Sequence, residues 1–149
     1  MTKKSKTGPK RATRAQFAAI CYRRRKSGCE VLLITSRETG RWIIPKGWPI
    51  NGLSPAATAA QEAWEEGGVR GKVRDLCLGV YGYEKNLGKG RDLPVSVAVF
   101  SLEVSKLADD FPEAGERKRR WFTPKKAAAR VEERELKQLL RNFEPIKSH

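Results

Sequence analysis

Residues 54–68 constrain the fold of this chain more than any other stretch. Ser54 is suited to cap a helix N-terminus, and Pro55 fits the first helical position, where its missing N–H costs nothing. The helix is expected to run from about Pro55 to Glu66 and to end at Gly67-Gly68. Ala56, Ala59, Ala60, Ala63 and Trp64 share one side; Glu62, Glu65 and Glu66 share the other. A stripe of small residues lets a helix backbone lie close to a sheet, so an isolated helical bundle is the wrong architecture.

The flanking sequence supplies that sheet. Residues 16–24 contain the apolar run Phe17-Ala18-Ala19-Ile20-Cys21-Tyr22. After the turn Arg23-Arg24-Arg25-Lys26-Ser27-Gly28, Glu30 to Thr35 forms a second apolar run, and the two read as a hairpin. Trp42-Ile43-Ile44 is a short third strand that Pro45 stops. Leu76 to Tyr83 and Val95 to Val104 are further strands, the latter apolar throughout and therefore central. Between them, residues 84–92 read as a Gly/Lys-rich loop carrying Lys85, Lys89 and Arg91. Residues 108–115 read as an acidic linker, Arg119-Arg120-Trp121-Phe122 as a short strand, and Arg117 as the opening of the basic run that leads into it. Thr123 and Pro124 start a helix to about Ala129. A last amphipathic helix over 133–143 turns Leu136, Leu139, Leu140 and Phe143 inward. The order predicts an α+β fold: a sandwich with a mixed β-sheet and helices on its faces.

With 149 residues the chain is one domain by length. No apolar run is long enough for a membrane span, no apolar secretory segment opens the sequence, and a cytoplasmic location is expected. A single histidine, His149, argues against a Ser-His-Asp triad or a Cys/His zinc site. Cys21, Cys29 and Cys77 have no paired spacing and are expected as buried free thiols. The formal net charge is +14. Residues 1–14 hold six basic residues and no acid, which leaves +8 on residues 15–149. The basic N-terminal stretch reads as a flexible tail able to attract nucleic acid, and the basic body favours an anionic, multiply phosphorylated small partner. Oligomeric state is not encoded in any of these features.

On a helix, Glu62 and Glu66 lie about 40° apart around the axis, and Glu65 about 60° to the other side of Glu62. All three can face one pocket. No Lys or Arg stands three or four positions away to neutralise them, apart from Arg70 beyond the helix end. A hard divalent cation, Mg²⁺ or Mn²⁺, accepts such oxygen-only donors. An inert acidic helix surface is the competing reading.

The stretch resembles the Nudix hydrolase family, whose signature is G-x5-E-x7-R-E-U-x-E-E-x-G-U, with U aliphatic. Gly47, Glu62, Glu65, Glu66, Gly68 and Val69 match it; Leu53 and Gln61 replace its first Glu and its Arg. Trp42-Ile43-Ile44-Pro45-Lys46-Gly47, and residues 115–122, are similar to the branch that hydrolyses diphosphoinositol polyphosphates and diadenosine polyphosphates. The resemblance covers most of residues 15–143 and implies an α/β/α Nudix sandwich. It also implies metal ligation by Glu62 and Glu66, and a role for Glu65 as metal ligand or as the base that activates water. The backbone at Lys46 and Gly47 would shape the metal and phosphate site. Arg37, Lys46 and Arg117 are the expected phosphate contacts, because a guanidinium fork or an ammonium suits phosphate oxygens. The implied activity is phosphoanhydride hydrolysis in a strongly anionic substrate. A non-hydrolytic nucleotide- or RNA-binding domain, or an RNA 5′-pyrophosphohydrolase, is the alternative that the two departures and the basic tail favour.

Overall fold

The computed structural model describes residues 12–146. The expected tail falls mostly on residues 1–11, outside the described residues, and Arg14 already belongs to the first strand. In chain order the elements are β1 (Arg14–Arg25), β2 (Gly28–Thr35), β3 (Trp42–Ile43), β4 (Lys46–Gly47), α1 (Pro55–Gly67), β5 (Val69–Asn86), β6 (Asp92–Leu107), β7 (Arg119–Phe122), α2 (Pro124–Arg130) and α3 (Arg134–Arg141).

One mixed sheet organises the chain. Its main path is β3-β2-β1-β6-β5, with β4 pairing to β1 and β7 to β2. The expected β1–β2 hairpin forms, but its turn is shorter than the one read over Arg23–Gly28: Arg23 to Arg25 belong to β1, and the pair Arg25 and Gly28 closes it around Lys26-Ser27. β6 lies between β1 and β5, parallel to the first and antiparallel to the second, which confirms it as a central strand. A parallel β1–β6 pair needs a long crossover, and the connection that carries α1 and β5 supplies it.

Strand alternation sorts the apolar residues into two cores. Ala18, Ile20 and Tyr22 of β1 join Leu136, Leu140 and Phe143 on the α2/α3 face. Ala19 and Cys21 join Ala56, Ala59 and Ala63 on the α1 face. The result is the three-layer sandwich, with α1 on one face of the sheet and the α2–α3 pair on the other.

Several expectations need correction. The last strand is the expected Arg119–Phe122, but Arg117 and Lys118, read as opening it, precede it. β5 extends to Asn86, so the connection to β6 is shorter than the loop expected over 84–92. Cys21 and Cys29 are buried free thiols, but Cys77 is exposed, on the outer strand β5. Trp121 is only partly buried: it packs at the margin of the α1-side core, with the Arg23 guanidinium 4.2 Å from its ring centroid.

Candidate active-site cleft

The cleft is built where α1 meets β4. Ser54 caps α1 by accepting from the Ala57 amide at 3.1 Å. Gly68 ends the helix in the left-handed region, at φ 68°, and its amide donates to Trp64 O. These local signals fix where Glu62 and Glu66 stand. β4 is held against β1 by the pairs Phe17–Gly47 and Ala18–Lys46, and by the Ala19 amide donating to Pro45 O at 3.1 Å. Gly47 then lies directly against the Glu62 carboxyl group. A Cβ at position 47 would overlap that group, so glycine here leaves the Glu62 carboxyl its place against the strand, and a larger residue would push it aside.

The resulting open cleft has a volume of about 490 Å³. Its walls include Glu62, Glu66, Lys46, Gly47, Arg37 and Arg117, six of the seven residues expected from the sequence. The seventh, Glu65, does not line it. Its carboxylate instead accepts from Gln61 Nε2 at 2.7 Å, one turn back along α1. The three helix acids therefore do not converge in one pocket. Leu53, at the consensus Glu position, is 42% exposed, and Gln61 spends its amide on Glu65.

Glu113 is the functional candidate that sequence reasoning missed. It lines the cleft with Glu62 and Glu66, although it lies in the stretch read as a linker. That stretch is docked on the end of α1. The Ala108 amide donates to Gly68 O at 2.8 Å, the Glu113 amide donates to Glu65 O at 3.0 Å, and Phe111 packs on Trp64. Arg117 locks the arrangement. Its Nε donates to Glu113 Oε1 at 2.9 Å and its Nη1 to Thr35 O at 3.1 Å, while Nη2 lies 3.8 Å from Glu66 Oε2. The local sequence signal for Glu113 is its i, i+4 spacing to Arg117.

Burial and like charge dominate the electrostatics. Desolvation, then repulsion from Glu66, pushes the Glu62 carboxyl up to about 8. Burial also raises Glu66, against the pull of Arg117 and Lys46. Lys46 is drawn down to about 8 by desolvation, its ammonium 5.1 Å from the Tyr83 ring centroid. The two carboxylates thus favour a proton over two bare charges when no cation is present.

Whether this donor set suits a divalent cation follows from the same facts. Glu62 and Glu66 offer hard oxygen donors at i, i+4, and the glycine cradle leaves the Glu62 carboxyl room beside the backbone of β4. Among the described residues no three acidic or thiol ligands are already gathered as a metal cluster. The pair therefore fits a cation that takes its remaining ligands from water, from the substrate, or from a side chain that moves.

The raised Glu62 pKa has a defined sign for stability. A carboxyl whose folded pKa exceeds its unfolded value of 4.5 stabilises the fold fully below 4.5, and this contribution is lost as pH rises through about 8. Wild type is therefore expected to lose melting temperature relative to Glu62→Gln across that window in chelator. Parallel thermal melts at stepped pH check this; a difference that stays flat with pH contradicts it.

The charge of the cleft differs from that of the chain. Arg37, Lys46, Lys85 and Arg117 are matched there by Glu38, Glu62, Glu66 and Glu113. Arg37 bonds Glu116 at 3.2 Å and lies 4.0 Å from Glu113. The net positive charge of the protein is not concentrated at this site.

Comparison with known proteins agrees with the fold. A model of the NUDIX domain matches residues 12–143. Mouse diphosphoinositol polyphosphate phosphohydrolase 3-alpha is 36% identical over 107 residues, covering 70% of this chain and 61% of the mouse protein. The match thus spans less than two thirds of that relative. An Ap4A hydrolase structure from C. elegans superposes with a TM-score of 0.65 at 22% identity, over 87% of this chain and 93% of that one. The E. coli dihydroneopterin triphosphate pyrophosphohydrolase gives 0.67 at 17% identity, over 90% and 97%. These two likenesses show the shared fold.

Proposed function

Because the chain belongs to the NUDIX domain family, we propose that it is a divalent-cation-dependent hydrolase of phosphoanhydride bonds in a small anionic substrate. Diphosphoinositol polyphosphates and dinucleoside polyphosphates are the candidate classes, in line with the names of the mouse and C. elegans proteins. The observation that carries the reading is the desolvated Glu62–Glu66 pair in a cleft rimmed by Arg37, Lys46, Lys85 and Arg117. A cytoplasmic location, and a single hydrolase domain over 15–149 behind a basic tail, belong to the same proposal.

Glu62 and Glu66 would hold Mg²⁺ or Mn²⁺, beside the backbone of Lys46 and Gly47. When bound, the cation supplies neutralisation of phosphate oxygens and a more acidic water. The rest falls to the protein. Arg37 and Lys46 contact the phosphates, and Arg37 does so by exchanging its carboxylate partners for phosphate oxygens. Arg117 contacts phosphate too, and it also fixes Glu113 and Glu66 in place. Glu65 serves as a ligand or as the base that takes a proton from water once it leaves Gln61 and turns into the cleft. Glu113 is a second candidate base, because it lines the cleft together with Glu62 and Glu66.

A Mg²⁺-dependent hydrolysis screen tests the proposal. Its panel holds diphosphoinositol polyphosphates, dinucleoside polyphosphates, NDP-sugars and 5′-triphosphate RNA, with Glu65→Gln and Glu113→Gln in parallel. Turnover of at least one phosphoanhydride, with a lower kcat in the variant that removes the base, is the expected result. No turnover across the panel, together with tight binding of one member, favours the second reading: a binding domain that does not hydrolyse. Leu53 and Gln61 in place of the signature's charged residues favour that reading.

A further inference from the structure

The cleft is charge-balanced, so the positive charge of the body lies elsewhere, and the stretch from Lys118 to Val131 holds much of it. That stretch contains six basic residues and no acid. Period-2 alternation in β7 separates them. Arg119 turns to the α1 side, where it donates to Gly67 O at 2.8 Å and reaches Asp109. Position 120 shares the other side with Phe122, toward α2. The Arg120 and Arg130 guanidinium groups lie 5.6 and 5.3 Å from the centroid of the same Phe122 ring. Lys126 sits one turn before Arg130 on α2, and Lys118 one alternate position before Arg120.

All four side chains are exposed, and among the described residues none has an acidic partner. Of the acids nearest in sequence, Glu116 is taken by Arg37 at 3.2 Å, and Glu132 and Glu133 by Arg41 at 3.8 and 3.1 Å. Lys126 and Arg130 are a like-charge i, i+4 pair, which costs helix stability unless an anion offsets it. None of the four lines the cleft.

We propose that Lys118, Arg120, Lys126 and Arg130 form a docking surface for the phosphate backbone of double-helical nucleic acid, separate from the hydrolytic cleft. The ring at its centre, Phe122, is buried and offers no face for stacking a splayed base, which argues against a single-strand platform. Among the described residues the large exposed apolar ones are Leu53, Leu76, Leu78, Val80, Leu87 and Ile146, and none belongs to this surface. It therefore has nothing to insert into a lipid layer, which argues against a membrane. What remains is a group of exposed ammonium and guanidinium charges, two of them lying over one buried ring. A duplex, with one negative charge per about 1.7 Å of axis, is the partner that rewards such a group most.

Fluorescence anisotropy with a labelled mixed-sequence duplex of about 20 base pairs tests this in the full chain, over about 50–200 mM salt. Arg120→Glu/Arg130→Glu is expected to weaken binding at least tenfold and to flatten the log–log salt slope by about 1.8, the value for two lost phosphate contacts. Lys118→Glu/Lys126→Glu touches no ring and is expected to do the same, with an unchanged melting temperature. Wild-type affinity in both double variants overturns the proposal. So does abolition of binding when Lys3, Lys4, Lys6 and Lys10 alone are replaced by Ala, because the tail would then account for it. Binding to vesicles rich in anionic lipid as tight as to the duplex overturns it too.

Discussion

Glu62→Gln is expected to lower metal-dependent hydrolysis by at least about a hundredfold while leaving the ligand-free fold as stable as wild type or more so. The two halves of this expectation have one cause. Burial and Glu66 push the Glu62 carboxyl up to about 8, so at neutral pH the cation-free protein already carries it largely protonated. A neutral amide of the same shape replaces that form at little cost. The amide can also keep the hydrogen bond by which the protonated Glu62 carboxyl favours the charged form of Glu66. A divalent cation needs the carboxylate, and the amide cannot provide it. Even partners that merely orient a ligand are worth about 10–100-fold, so loss of a ligand sets the lower bound. Melting temperature in chelator and initial rate in Mg²⁺, measured on one preparation, separate the two halves. A variant that retains wild-type rate, or one that unfolds in chelator, contradicts the account.

Arg117→Ala is expected to cost about 3 kcal/mol of stability, because removing one member of a buried charge network strands the others. The Arg117 side chain is 8% exposed, Glu66 10% and Glu113 21%. The same substitution frees Thr35 O and the segment that carries Glu113. For a chain of this size the loss corresponds to about 6–12 °C in Tm. Lysine at this position keeps a charge but cannot reach Glu113, Glu66 and the carbonyl with one rigid fork, so Arg117→Lys should recover only part of the loss. Excess Mg²⁺ should recover part of it too, by neutralising Glu66 in place of the guanidinium. Thermal melts with and without Mg²⁺ measure both effects. A change within about 1 kcal/mol, as for an exposed ion pair, contradicts the assigned role.

The parts of this fold that were legible in the sequence are those with local causes. Ser54, Pro55 and Gly68 delimit α1 because capping depends on neighbouring atoms alone. The β1–β2 hairpin and the central strand follow from apolar runs that fill the two cores. The parts that were not legible depend on distant contacts. β4 is two residues long and exists only because β1 accepts it. The first half of β5 carries Arg70, Lys72, Arg74 and Asp75, and register shifts against β6 break its alternation, so no period-2 signal marks it. Glu113 enters the cleft through a turn docked on α1 and an arginine clamp.

For the site, helix geometry located the Glu62–Glu66 pair but not the fate of Glu65. Angles around an axis place a carboxylate on a face; the Gln61 amide decides where on that face it rests. Whole-chain charge was the weakest guide. The net charge suggested an anionic partner without saying where it would sit, and in the cleft Arg117 and Arg37 already face Glu113 and Glu116. Charge summed over a sequence carries no position, and position decides what a ligand meets.

The central claim is that Glu62 and Glu66 together hold a divalent cation in this cleft. Titration of Mn²⁺ into wild type and Glu62→Gln at about pH 8, with free Mn²⁺ read by electron paramagnetic resonance, tests it most directly. The account predicts saturable binding to wild type and affinity at least tenfold weaker in the variant, with a smaller difference at acid pH, where protons compete for the pair. Equal affinity in both proteins, or no saturable binding to wild type, contradicts it.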